Sequence, residues 1–383
     1  MNRSDASRKS SFDRLMSVFC REDAHVPRLA PVLAVLAVTA CARAPDSGSG
    51  AARVALGEVF KTDVVVTLGE DPQDSIATPG SFAERATEGF LLSDGQLPRI
   101  RSYREDGRLD AAFGRFGEGP FEFQRINGLA ETASGEVAVL DSRQIRLTYL
   151  TGDLEPDTIA QLPGVPSGIE PMGDDLLVGL MLATERSPDA SRLLQRPRLL
   201  HRLADNRVAW SAYTYPFVPI ERPYWASLVR FSFDVAGDSI YMASSLRYPV
   251  AILSTAGDSV GEIGVPSSTF LPVPVFEPGA LAPNNLTPLP NLLGGHSTIS
   301  QMAVVGSHLI VVHGRFGSEV GFTEYHSSLD IYDRHTGGKL YEDVPLPENS
   351  RVLGGGRHLY VLQDTRFPPW RIAKLSFQEE DPG

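Results

Sequence analysis

The sequence predicts an all-β protein, a six-bladed β-propeller closed by an N-terminal strand that completes the last blade. Three observations carry that reading. Short β-rich runs, each led in by a glycine, recur six times beyond residue 60. A second turn signal follows most of these runs after another strand-like stretch. The last unit lacks its outer strand, while one strand ahead of the first unit has no unit of its own. The composition is compatible: 383 residues, 42% hydrophobic and 21% charged, are too apolar for a disordered tail or an extended coiled coil. Thirty-five glycines and 29 prolines favour many short elements joined by turns.

In chain order the runs are Phe90-Leu91-Leu92 after Gly89, Val137 to Leu140 after Gly135, and Leu176 to Val178 after Gly173. Ile240 to Met242 follow Gly237, Leu309 to Val312 follow Gly306, and Leu359 to Leu362 follow Gly356. They start about 47, 39, 64, 69 and 50 residues apart, the range of propeller blades with insertions. The second signals are Asp106-Gly107, Gly152-Asp153, Asp205-Asn206, Gly257-Asp258 and Gly337-Gly338. Each suits the positive φ of a tight hairpin and leads into one more short stretch, which gives four strands per unit. After Trp370 to Leu375 no further turn and strand follow, whereas Asp63 to Leu68 stand alone near the start. Pairing these two closes the ring and leaves no open sheet edge at the seam. Two stacked β-sandwiches have a similar strand count; the missing outer strand favours the propeller.

Ahead of the units, Leu29 to Val38 form an apolar run of about ten residues after Arg28, too short to span a bilayer. It ends in Val38-Thr39-Ala40-Cys41, which resembles a bacterial lipobox. The resemblance implies a signal peptide over 1–40, a lipidated Cys41, a flexible tether over 41–59, a propeller over 60–378 and a short tail over 379–383. Ala42, being other than aspartate, points by the same resemblance to the outer membrane, with the protein facing the periplasm or the exterior. Segment 1–40 carries six Lys/Arg and four Asp/Glu, so its removal takes the net charge from −12 to −14. That sign excludes a coat for nucleic acid. Cys20 leaves with the segment, so no disulfide or cysteine metal site is expected.

Phe113 to Phe123 read FGRFGEGPFEF, followed by Ile126-Asn127-Gly128-Leu129-Ala130 and Val139-Leu140-Asp141. This resembles the blade junction of bacterial six-bladed β-propeller lipoproteins, relatives of the NHL-repeat propellers. Phe121 stands where that junction has a glycine, so a differently shaped turn is expected. A phosphate loop would need a strand before, a helix after and a Lys-Ser/Thr pair or G-x-G-x-x-G spacing; none is present.

No nucleophile elbow, H-E-x-x-H or paired-cysteine spacing occurs. His308 and His313 have an odd separation on one strand and therefore point to opposite faces, against a shared metal. No cofactor or metal is expected. Strand alternation sends second-to-third loops and blade-to-blade connections to one face. The long insertions 183–198, 212–227, 264–298 and 314–327 gather there, with Tyr213, Tyr224, Arg222, Trp225, Arg366, Phe367 and Trp370. Aromatic and arginine residues dominate binding hot spots. Arg85, Arg125, Arg230 and Arg351 are placed at the starts of inner strands, with Glu84 and Glu170 nearby. Arginines converging on the channel make a basic spot for a carboxylate or phosphate. The expectation is thus a monomeric, lipid-anchored binding or protein-interaction module, whose partner is a protein, a glycan or a small anion. The alternative is a hydrolase or lyase of the lactonase or amidating-lyase type, with its site at the channel mouth.

Overall fold

The computed structural model describes residues 54–68, 75–183, 198–214, 231–274, 294–316 and 325–378, all within one compact unit, Gly50–Gly383. A one-turn helix, α1 (Leu56–Val59), leads into β1 (Phe60–Leu68). Blade 1 follows as β2 (Pro79–Glu84), β3 (Phe90–Asp94), β4 (Ile100–Tyr103) and β5 (Leu109–Phe113). Blade 2 is β6 (Ile126–Glu131), β7 (Val137–Asp141), β8 (Arg146–Leu150) and β9 (Pro156–Gln161). Blade 3 is β10 (Gly164–Met172), β11 (Asp175–Ala183), β12 (Arg198–Ala204) and β13 (Arg207–Thr214). Blade 4 is β14 (Phe231–Ala236), β15 (Ser239–Ser244), β16 (Arg247–Ser254) and β17 (Ser259–Ile263). Blade 5 is β18 (Ser297–Val305), β19 (His308–Phe316), β20 (Tyr325–Asp333) and β21 (Lys339–Pro345). Blade 6 is β22 (Arg351–Gly354), β23 (Leu359–Leu362) and β24 (Trp370–Phe377), with β1 as its outer strand.

The chain is therefore a six-bladed propeller of four-stranded antiparallel sheets, and the inner strands β2, β6, β10, β14, β18 and β22 neighbour one another around a closed ring. β1 pairs with β24 from Phe60↔Phe377 to Leu68↔Trp370, as the orphan strand predicts. Val59 is 1% exposed, so the end of the expected tether is already part of the packed body.

The second strands explain why the runs read as continuously apolar. β3 and β7 are buried along their whole length, because both faces of a blade are covered by its neighbours. Successive side chains then serve different interfaces. Leu91 packs with Phe123, Leu129 and Val139 between blades 1 and 2, whereas Phe90 and Leu92 pack with Leu68, Tyr360 and Trp370 between blades 6 and 1. Six apolar clusters fill the six junctions of the ring.

The glycine before every run adopts positive φ. At Gly89 a Cβ atom would lie 2.0 Å from the carbonyl oxygen of Tyr103, so the hairpin admits no side chain there. Most second turn signals behave as predicted: Gly107, Asp205, Asn206, Gly257 and Gly337 have positive φ. Blade 2 differs, because the left-handed residue is Leu154 (φ 62°) and not Gly152. Burial of the leucine, 2% exposed, offsets a conformational cost of roughly 1–2 kcal/mol. Phe121 holds φ 57°, in the left-handed region that favours glycine. Phe123, fully buried, and the bonds from Arg146 Nη2 and Gln144 Nε2 to the carbonyls of Glu122 and of Gly119 or Gly117 fix this junction between blades.

Candidate functional site: the channel mouth

We call the end of the ring where the inner strands begin the upper face. Alternating strand directions bring the connections β1–β2, β11–β12, β13–β14, β17–β18 and β19–β20 to this face. A cavity of about 710 Å³ opens there, against blades 5, 6 and 1. Its wall includes Ser300 and Gln301 of β18, Ser327 of β20, residues 346–352 entering β22, Thr365 and Arg366 between β23 and β24, and Thr78 and Pro79 at the start of β2.

Arg351 is the first residue of β22, and its Nη2 donates to the carbonyl oxygen of Pro79 at 2.8 Å. Desolvation of the guanidinium in the cavity wall lowers its pKa, yet an arginine stays charged at any ordinary pH. Arg366 donates from Nε and Nη2 to the two carboxylate oxygens of Asp364, at 3.2 and 3.3 Å. These hydrogen bonds and the opposite charge raise the Arg366 pKa and lower that of Asp364. Gln301 donates from Nε2 to Leu353 O at 3.1 Å, and Thr365 N–H donates to Asn349 O at 2.8 Å. The wall is therefore rich in donors held in place by its own backbone. One carboxylate of the lining, Glu348, moderates the positive charge.

The structure brings Arg351 and Arg366 together in this wall. Arg125 also precedes an inner strand and is exposed, but it is not part of the cavity lining. Arg85 is placed otherwise than expected. It follows the end of β2, on the lower face, because β2 runs from Pro79 to Glu84 and the arginine begins the hairpin. There its guanidinium donates to Glu131 Oε1 at 2.8 and 3.0 Å, to Ser102 Oγ and to Gly152 O, bracing blade 1 against blade 2. Trp370, expected as an exposed anchor, is 2% exposed and its Nε1 donates to Ile76 O at 2.8 Å. The register Leu68↔Trp370 turns the indole into the junction of blades 6 and 1. Phe367 is 71% exposed beside it in sequence. Arg222, Trp225, Arg230 and Cys41 lie outside the described residues.

Glu84 closes the ring from the other end. Its carboxylate accepts from His358 Nδ1 and Tyr360 OH, both at 2.9 Å, and from Arg357 N–H at 2.6 Å. Glu170 of β10 and Asp234 of β14 are a pair of half-buried inner-strand acids. Burial, then the Asp234 charge, raises Glu170 well above the carboxylate range. Asp234 is pushed up to about 6 by burial, against the hydrogen bonds donated by the Val304 and Val235 amides.

His308 and His313 serve opposite faces of β19: His308 stacks on Phe377, and His313 meets Phe270 edge to face. His313 also stands beside Asp330 and Asp343. Sequence reasoning missed that grouping, since its members occupy three strands and only the sheet register unites them.

No family model and no curated protein sequence matches this chain. Solved structures are similar in shape. A putative exported protein of Bacteroides fragilis NCTC 9343 aligns with a TM-score of 0.59 at 12% identity, over 86% of this chain and 98% of that one. A member of the DUF4221 family from Bacteroides vulgatus ATCC 8482 gives 0.60 at 10% identity, over 83% and 98%. A streptogramin B lyase gives 0.45 at 11% identity, over 82% and 98%. At these identities the likeness establishes the fold alone.

Proposed function

We propose that the protein is an exported, lipid-anchored propeller that binds a small anionic ligand at the mouth of its channel. One observation carries this reading: Arg351, held by Pro79 O, stands in the wall of an upper-face cavity together with Arg366, Gln301 and several hydroxyls. A guanidinium bound through one nitrogen keeps further donors for a carboxylate or phosphate, and low-dielectric walls strengthen such bonds. The lipobox-like Val38 to Cys41 supports export and anchoring to the outer membrane, and so does the exported status in the name of one structural neighbour. Catalysis at the mouth has no observation in its favour among the described residues.

The test is calorimetric titration of the purified protein with inorganic phosphate, phosphate esters and di- and tricarboxylates at low and high salt. At least one anion class should bind, and Arg351→Ala should weaken that binding by about 1–3 kcal/mol. The loss should shrink as salt rises. Failure of every anion to bind, or an Arg351→Ala variant that binds as tightly as the parent, would overturn the reading.

A further inference from the structure

We propose that His313, Asp330 and Asp343 bind one divalent transition-metal ion of the zinc class. The three residues stand on β19, β20 and β21 of blade 5. Their ligand atoms all lie within 4.8 Å of one another. His313 Nε2 is 3.4 Å from Asp330 Oδ1 and 3.6 Å from Asp343 Oδ1. Two ligands at about 2.0–2.1 Å from a tetrahedral zinc ion stand roughly 3.4 Å apart. The spacing is thus long for hydrogen bonds and suited to a shared ion.

A second observation is independent of the acidic pair. The His313 side chain is 4% exposed, and its Nε2 has no hydrogen-bond partner among the described residues. A buried ring nitrogen in that condition costs free energy, which coordination would recover. The surrounding bonds orient the donor set as outer-shell partners do. Asp330 accepts at Oδ2 from Tyr248 OH at 2.9 Å and from Lys339 Nζ at 3.4 Å, while Oδ1 accepts from the Asp343 N–H at 3.1 Å and faces His313. Asp343 Oδ1 accepts from Thr269 Oγ1 at 2.6 Å.

The chemistry selects the class of ion. One imidazole and two carboxylates suit zinc, iron(II), manganese or nickel better than magnesium or calcium, which prefer all-oxygen shells. With neutral His313 the carboxylates and Lys339 sum to one negative charge, which a dication reverses. The rival arrangement is a protonated His313 neutralising the same aspartates with no metal. Asp343, whose side chain is 8% exposed, is the most open of the three and marks the route in. Three protein ligands leave room for water, and an ion there would fasten the outer three strands of blade 5 together. This inference is independent of the anion site on the upper face.

The experiment strips the full purified protein with a chelator, then adds Zn²⁺ or Co²⁺. One equivalent per chain should be retained after gel filtration, Zn²⁺ should raise the melting temperature, and Co²⁺ should give ligand-field absorption. His313→Gln should abolish that absorption and weaken Zn²⁺ binding at least about tenfold, while His308→Gln should change neither. If His313→Gln does not melt cooperatively, Asp343→Asn, at the most open ligand, provides the same reading. Retention of no equivalent, or an equivalent kept unchanged by the variants, would overturn the proposal and leave the rival ion cluster in its place.

Discussion

The two faces of the ring treat arginine in opposite ways. On the lower face Arg85 is consumed by structure: Glu131, Ser102 and Gly152 take its donors, and its side chain is 13% exposed. On the upper face Arg351 has one side-chain partner among the described residues, Pro79 O, and faces a cavity. Lower-face hairpins are short, carry glycines at positive φ and bond across blades, as Ala133 N–H does to Gly173 O and Gly356 N–H to Val304 O. Both ends of the ring thus bind blade to blade, but the lower face spends its arginine wholly on that task, whereas the upper-face Arg351 joins blade 6 to blade 1 and also lines a cavity.

Three substitutions bear on this contrast, in addition to Arg351→Ala. Trp370→Ala should have the largest effect, a stability loss of about 3–5 kcal/mol in denaturant unfolding, since it empties a buried site between blades and removes the bond to Ile76 O. Ligand affinity of the folded variant should stay as in the parent; a large affinity loss with normal stability would move the free upper surface to include the indole. Glu131→Ala should cost about 3 kcal/mol by stranding Arg85, with no effect on anion binding. A stability change below about 0.5 kcal/mol would mean that the lower-face brace is ornamental.

The smallest effect is expected from Glu170→Gln. Both acids of the pair have folded pKa values above their unfolded ones, so the folded state binds more protons from about pH 4 upward. Stability contributed by the protonated pair is then lost as pH rises through about 6 and beyond. Removing one acid should therefore raise the melting temperature at pH 8 by more than at pH 5. An equal shift at both values would show that the protein does not raise the Glu170 pKa.

Blade number, strand order and the seam were legible because burial on both sides makes each second strand an unbroken apolar run, and because glycine is required where the hairpins turn back. The site was legible only in part. Counting strands located Arg351 and Arg366 at one end of the ring. Arg85 was misplaced because nothing local distinguishes a residue ending a six-residue inner strand from one beginning it. Trp370 opens the last strand at the loaded face and so counts among that face's aromatic residues, whereas its pairing with Leu68 makes it core. His313, Asp330 and Asp343 carry no local pattern at all: they meet only through the pairing of β19 with β20 and of β20 with β21.

The pairing of β1 with β24 also bears on how the chain is made. A ribosome delivers β1 first and its partner last, and the bond from Trp370 to Ile76 alone spans 294 positions. Until β24 emerges, the first strand has no neighbour to pair with and the blade 6–1 junction has no indole. A prematurely terminated product lacks the strand that fastens both ends and keeps an unsatisfied sheet edge, a feature that invites aggregation or proteolysis. Closure of the ring thus doubles as a check that synthesis has run through to the end of the last blade.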